Sequence, residues 1–356
     1  MPDQEPDIRA IFCKALECKS KDLQVEYLDQ ACHGNSALRQ RIDSLIQAHH
    51  RAGSFFRSEE PVAPTIDPTP ISERPDTYIG SYKLVEEIGE GGMGSVFMAL
   101  QKKPVRRTVA LKVIKPGMDS KQVVSRFEAE RQTLALMDHP NIAKVLDGGT
   151  TESGRPYFVM ELVKGIPITE YCDGHRLTNR ERLELFRDVC SAVHHAHQKG
   201  IIHRDLKPSN VLVTQLDNCK PLPKIIDFGI AKATSGHLMD ESLVTGISQL
   251  VGTPMYMSPE QAELTANDVD TRSDVYSLGV LLYELLTGVT PFDQDRMSSA
   301  SFDEVRRIVQ EEDPPRPSTR LSTIDAALET VAEKHHTDAR SLSREVSGEL
   351  DWIVMK

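Results

Sequence analysis

Ile201-Ile202-His203-Arg204-Asp205-Leu206-Lys207-Pro208-Ser209-Asn210-Val211-Leu212-Val213 sets a dense polar cluster between two apolar runs. One anion, Asp205, and one cation, Lys207, sit two residues apart, and Asn210 follows the acid by five. Such a cluster reads as a loop held open between packed elements. Its acid and amide have the spacing at which a base and a metal ligand serve one centre.

Working outward, Thr178 is placed to cap a helix with an apolar face of Leu183, Phe186, Val189, Ala192, Val193 and Ala196, ended by Gly200. His194, His195 and His197 near its end lack an accompanying acidic or cysteine pattern and read as an exposed helix end, not a metal site. Downstream, Lys224-Ile225-Ile226 reads as a strand running into Asp227-Phe228-Gly229. Upstream, Tyr82–Ile88 alternates as a strand and leads into Gly89-Glu90-Gly91-Gly92-Met93-Gly94. A glycine cluster of this kind opens either a dinucleotide-binding turn or a hairpin. Ser95-Val96-Phe97-Met98-Ala99 is β-branched and aromatic, so a second strand follows and the hairpin is expected. Val109–Ile114 is an apolar strand interrupted by Lys112. A helix from about Asp119 carries the stripe Val123, Val124, Phe127, Leu134 and Met137, with Glu130 inside it and Glu128 outside. A carboxylate on a buried face needs a partner, and Lys112 is the natural one.

His203-Arg204-Asp205-Leu206 with Asn210, the glycine hairpin, the strand lysine, Asp227-Phe228-Gly229 and Ser258-Pro259-Glu260 occur in the order found in protein kinases. Residues 82–312 resemble that family closely, and Lys207-Pro208-Ser209 looks like its serine/threonine-specific, bacterial Hanks-type branch. The resemblance implies an α+β fold of two lobes, a β-rich lobe with one key helix over residues 81–160 and a helical lobe over 161–356, with ATP between them. It implies Asp205 as base, Lys207 at the transferred phosphoryl, and Asn210 and Asp227 as Mg²⁺ ligands. Gly89, Gly91, Gly92 and Gly94 would cover the phosphates, while Lys112, braced by Glu130, holds them. Val96, Ala110, Met160 and Leu212 would enclose adenine, with Glu161 and Val163 offering main-chain groups. Asp227 to Glu260 corresponds to the activation segment, in which Thr245, then Ser248 and Ser242, are the expected regulatory phosphosites. Thr253 corresponds to a threonine that touches the catalytic aspartate, and Asp274 to the aspartate that braces the catalytic loop. Ser258, where alanine is commoner, is expected to be harmless.

A net charge of −11 excludes a general nucleic-acid surface. Six scattered cysteines without a Cys-x-x-Cys pair argue against a zinc site or disulfide framework and read as reduced thiols of a cytoplasmic protein. The start of the chain has no apolar core of a signal peptide, and Val275–Leu286 is too short and too polar for a membrane span. Residues 1–56 show three short helical periodicities and nearly balanced charge, seven Lys/Arg against eight Asp/Glu up to Arg51, which suits a small module for a protein partner. Residues 57–80 carry Pro61, Pro64, Pro68, Pro70 and Pro75 and read as a linker. Pro314 to Gly348 is polar and proline-punctuated and is expected to add little core; Leu350–Lys356 begins an apolar helix that would leave the kinase fold short of its last helices and Glu260 without an arginine. An active Ser/Thr kinase acting on protein substrates is therefore set against a catalytically silent, kinase-like scaffold.

Overall fold

The structure is a computed structural model that describes residues 27–28, 31–32, 39, 73–91, 94–114, 134, 137–215, 220–228, 254–263 and 270–356. The chain divides into two units, Met1–Pro70 and Ile71–Lys356. In the first, Tyr27, Leu28, Ala31 and Arg39 are helical, and Cys32 N–H donates to Leu28 O at 3.0 Å, a helix-type bond.

The second unit opens on an antiparallel sheet in the order β1-β2-β3-β4-β6-β5: β1 (Tyr78–Ile79), β2 (Tyr82–Gly91), β3 (Gly94–Gln101), β4 (Arg107–Ile114), β5 (Val145–Thr150) and β6 (Pro156–Glu161). The end of the stretch expected to be a linker packs on this sheet: Tyr78–Ile79 pair with β2, Ile79 is buried, and Glu73 forms a buried ion pair with Arg155. Period-two alternation sorts the central strands onto two faces. Phe97, Ala99, Val109, Leu111, Val113 and Val159 close one core with Tyr82 and Leu84. Ala110, Ile114, Phe158 and Met160 face the other way and merge with the helices below. Leu134 is helical and buried with Met137 in that second core; the rest of the helix expected from Asp119 lies outside the described residues.

A small sheet of β7 (Ile166–Pro167), β8 (Val211–Thr214) and β9 (Leu222–Ile225) lies under the first. Helices α1 (Ile168–Gly174) and α2 (Asn179–Gln198) follow β7, then α3 (Pro259–Ala262), α4 (Thr271–Thr287), α5 (Gln294–Ser299) and α6 (Phe302–Glu311). Thr178 closes a full capping box with Glu181 at the start of α2. Helix α4 is apolar nearly all round, as a helix enclosed by its own lobe must be, and ends on Gly288 at φ 74°. Among the described residues no helix is long and apolar enough to cross a membrane.

The polar stretch after Pro314 departs from expectation. It forms α7 (Pro317–Thr323), α8 (Asp325–Lys334) and α9 (Ala339–Val346), while the helix expected from Leu350 is present as α10 (Glu349–Val354). Leu321, Val331, Ala332, Leu342 and Val346 are buried in one cluster with Leu282 and Leu286 of α4. Truncating such a leucine to alanine costs roughly 2–5 kcal/mol, so this stretch is a substantial part of the lobe's core. Arg182 on α2 is a buried cation, 1% exposed. It donates to the carbonyls of Leu177, Leu285 and Lys334 and to Asp173, binding the ends of four segments through one guanidinium.

Candidate active site

Asp274, fully buried on α4, organises the loop that begins at Ile201. Its carboxylate accepts His203 N–H and Arg204 N–H, each at 2.8 Å, and a hydrogen bond from His197 Nε2 at 2.7 Å. Burial by itself would raise its pKa, but these bonds favour the charged form more and hold the group below its ordinary value. His197 is thus no exposed helix-end residue: its side chain is 14% exposed and committed to Asp274.

The bracing lets two non-glycine residues occupy the left-handed region, Arg204 at φ 69° and Asp227 at φ 63°. Between them lie the polar groups. Lys207 Nζ is 2.8 Å from Asp205 Oδ2, and Asn210 Nδ2 donates to Asp205 O at 2.7 Å and to Asp205 Oδ2 at 3.1 Å. With its amide nitrogen so engaged, Asn210 presents Oδ1 as its free ligand atom. Ile226 N–H donates to Asn210 O at 2.9 Å, which draws Asp227 to the same place. His203 is buried and takes Asp205 N–H on Nδ1 at 3.3 Å, so its proton lies on Nε2, which donates to Ile226 O at 3.0 Å. Its ring meets Phe228 edge-on at 4.7 Å.

From the upper lobe, Lys112 is 7% exposed and pairs with Asp227, Nζ to Oδ2 at 2.8 Å. Glu130, its expected partner, lies outside the described residues together with Gly92, Thr253 and the candidate phosphosites Thr245, Ser248 and Ser242. Val96, Ala110 and Met160 occupy one face of the sheet, and Leu212 lies half-buried on β8. Glu161 is tied down: its carboxylate is 2.8 Å from Lys224 Nζ and accepts Lys144 N–H at 3.4 Å. The glycines differ in kind. A Cβ on Gly94 would meet Val113 O at 2.1 Å, whereas no described atom lies within 4 Å of a Cβ built on Gly89 or Gly91.

Residues 82–346 match the protein kinase domain family. The chain belongs to that family. It is 34% identical over 303 residues to the serine/threonine-protein kinase Pkn1 of Myxococcus xanthus, covering 85% of this chain and 41% of the relative. To PknB of Mycobacterium leprae it is 38% identical over 259 residues, 71% of this chain and 39% of the relative. To pkn3 of Myxococcus xanthus it is 39% identical over 289 residues, 78% and 52%. The chain thus spans two fifths to a half of the length of these kinases. Among solved structures, the kinase domain of Mycobacterium tuberculosis PknI superposes with a TM-score of 0.52 at 25% identity, covering 77% of this chain and 97% of that one.

The kinase-type motif order locates the cleft, but several groups that hold it carry no motif of their own. His197 is one, and the Glu161–Lys224 pair is another. Ser258 and Gln261 differ in carrying a signal: the serine at the N-cap and the glutamine three residues on form a capping box, a pattern legible in Ser258-Pro259-Glu260-Gln261. Glu260, expected to lack a partner, accepts a hydrogen bond from Ser273 Oγ at 2.6 Å.

Proposed function

We propose that the chain is an ATP-dependent serine/threonine protein kinase, transferring the γ-phosphoryl of ATP to Ser or Thr hydroxyls of protein substrates. The observation that carries this reading is the convergence of Lys112, Asp205, Lys207, Asn210 and Asp227, drawn from separate segments, on one braced cleft.

The Asp227 carboxylate and Asn210 Oδ1 are hard oxygen donors, the set that suits Mg²⁺ with water and phosphate completing the shell. When bound there, Mg²⁺ would neutralise charge on the β- and γ-phosphates. Asp205 is placed to orient the acceptor hydroxyl and take its proton, and Lys207 beside it supplies positive charge to the transferred group. Lys112, paired with Asp227, is the cation that would hold the α- and β-phosphates. Val96, Ala110, Met160 and Leu212 offer apolar surface to adenine, with main-chain groups of Glu161 and Val163 at its edge. Gly89 and Gly91, whose open faces leave room for close approach, would lie over the phosphates with Gly92 and Gly94. Glu130 would orient Lys112.

Incubating the purified protein with Mg-ATP, with and without an acceptor protein, and mapping phosphosites by mass spectrometry tests this. Phosphoserine or phosphothreonine formed by the wild type and lost in Asp227→Ala is the expected result. Wild-type turnover no greater than that of Asp227→Ala would leave the scaffold reading in its place.

A further inference from the structure

We propose that Gln261 is a positioning residue: it fastens the peptide immediately before Asp205 to the turn that follows the activation segment, so that docking of that turn sets the orientation of the catalytic aspartate. Gln261 Nε2 donates to Arg204 O at 2.7 Å. Arg204 O belongs to the same peptide unit as Asp205 N–H, and that N–H is held from the other side by His203 Nδ1 at 3.3 Å. The plane of this peptide fixes the direction in which Asp205 leaves the backbone. Because Arg204 is in the left-handed region, its setting must be held by its surroundings, and these two bonds act on the plane after Arg204 as the Asp274 bonds act on the peptides before it.

The donor orientation of Gln261 is not arbitrary. Ser258 N–H donates to its Oε1 at 3.0 Å, so the amide must turn Nε2 toward Arg204. Ser258 is completely buried and its Oγ accepts Gln261 N–H at 3.4 Å. The segment carrying both is anchored to α4, since Ser277 Oγ donates to Tyr256 O at 2.8 Å and Ser273 Oγ to Glu260 at 2.6 Å. A capping box is closed equally well by glutamate or glutamine. Only glutamine also supplies a donor, so the cap does not dictate the residue at 261, and the bond to Arg204 O does.

That asymmetry makes Gln261→Glu the discriminating substitution. It keeps the acceptor for Ser258 N–H but sets an anionic oxygen against the Arg204 carbonyl. Protonation of the new carboxyl restores an O–H donor, so the defect should heal with acid. The role in turnover rests on the kinase reading, whereas the effect on the loop rests on the hydrogen bonds alone. In the full chain at about pH 8 the variant should lose about tenfold in kcat with KM for ATP unchanged. The peptide covering residues 203–210 should exchange its amide hydrogens faster than in the wild type while α4 exchanges alike. Lowering the pH to about 5.5 should narrow the kcat deficit relative to wild type. Gln261→Met, with neither donor nor acceptor, should show a deficit that pH does not change.

Wild-type kcat and loop exchange in Gln261→Glu at about pH 8 overturn the proposal, as does a deficit equal at both pH values. Loss of cooperative unfolding in both variants also overturns it, because the residue would then be structural. If the wild type transfers no phosphate, the kinase reading fails, and loop exchange in the variants still decides the coupling.

Discussion

Lys112 and Asp227 are joined by a direct ion pair, Nζ to Oδ2 at 2.8 Å, that links β4 of the upper lobe to the residue group following β9. The side chains are 9% and 23% exposed, so each charge is largely withdrawn from water and neutralised by the other. Lys112→Met and Asp227→Asn should each abolish phosphoryl transfer and lower stability by about 1–3 kcal/mol, below the full cost for a deeply buried pair because Asp227 is partly solvated. The double variant should recover part of that stability and none of the activity. Urea unfolding of the four proteins measures the coupling; strictly additive losses would show that the pair is not energetically joined.

The hairpin glycines should separate into two phenotypes. A methyl group at Gly94 would drive into Val113 O, so Gly94→Ala is expected to destabilise the upper lobe by roughly 1–3 kcal/mol. Gly91 has no described atom in the way, so Gly91→Ala should keep its thermal midpoint and weaken ATP binding instead. Differential scanning fluorimetry with and without Mg-ATP distinguishes them. Equal loss of unliganded stability in both variants would refute the division.

The sheet and the catalytic loop were legible because their residues report themselves locally: alternation in Phe97–Ala99 and Val109–Val113, and the motif from His203 to Asn210. Helices α7 to α9 were not, although the apolar run from Leu350 does mark α10. Leu321, Val331, Ala332, Leu342 and Val346 fall one or two to a helix, too few to mark a periodic face, and they become a core only by converging on Leu282 and Leu286. Arg182 gave no signal at all, and His197 was misread, for a related reason. Their partners, Leu285 and Lys334 in one case and Asp274 in the other, are distant in sequence, and a polar residue on a helix gives no sign of which carbonyl or carboxylate will meet it.

Asp274→Asn should cripple turnover more than it unfolds the protein. The carboxylate accepts His203 N–H, Arg204 N–H and His197 Nε2, and an amide in its place must turn an NH₂ toward at least one of these donors. Its pKa is lowered in the folded state, so its contribution is present above the unfolded value of 3.8 and is lost only as pH falls through the lower folded value. Between about pH 5 and 8, therefore, the deficit of the variant relative to wild type should not vary. A deficit that grows across that range would assign the effect to some other group.

Acid sensitivity below about pH 6.5 should come from His335 instead. The imidazole is 1% exposed, and its Nδ1 lies 2.7 Å from Asn179 Oδ1. Asn179 Nδ2 donates to Glu345 at 2.8 Å, which fixes the amide and makes the histidine the donor, neutral with its proton on Nδ1. Burial, reinforced by the nearby Arg182 guanidinium, pushes its pKa from 6.5 down to about 3. The unfolded chain takes up this proton first, so the stabilisation is complete above pH 6.5 and is lost progressively as pH falls toward about 3. The slope for one such group is about 1.4 kcal/mol per pH unit. His139, also lowered chiefly by burial, acts in the same direction, so the wild-type slope alone does not isolate His335. His335→Gln keeps a donor for Asn179 and cannot titrate. It should be less stable than wild type near pH 7.5 and lose less on acidification to about pH 5.5, converging with wild type by about 1 kcal/mol. Urea midpoints for both proteins at the two pH values measure this, and parallel losses would place the acid-labile proton elsewhere.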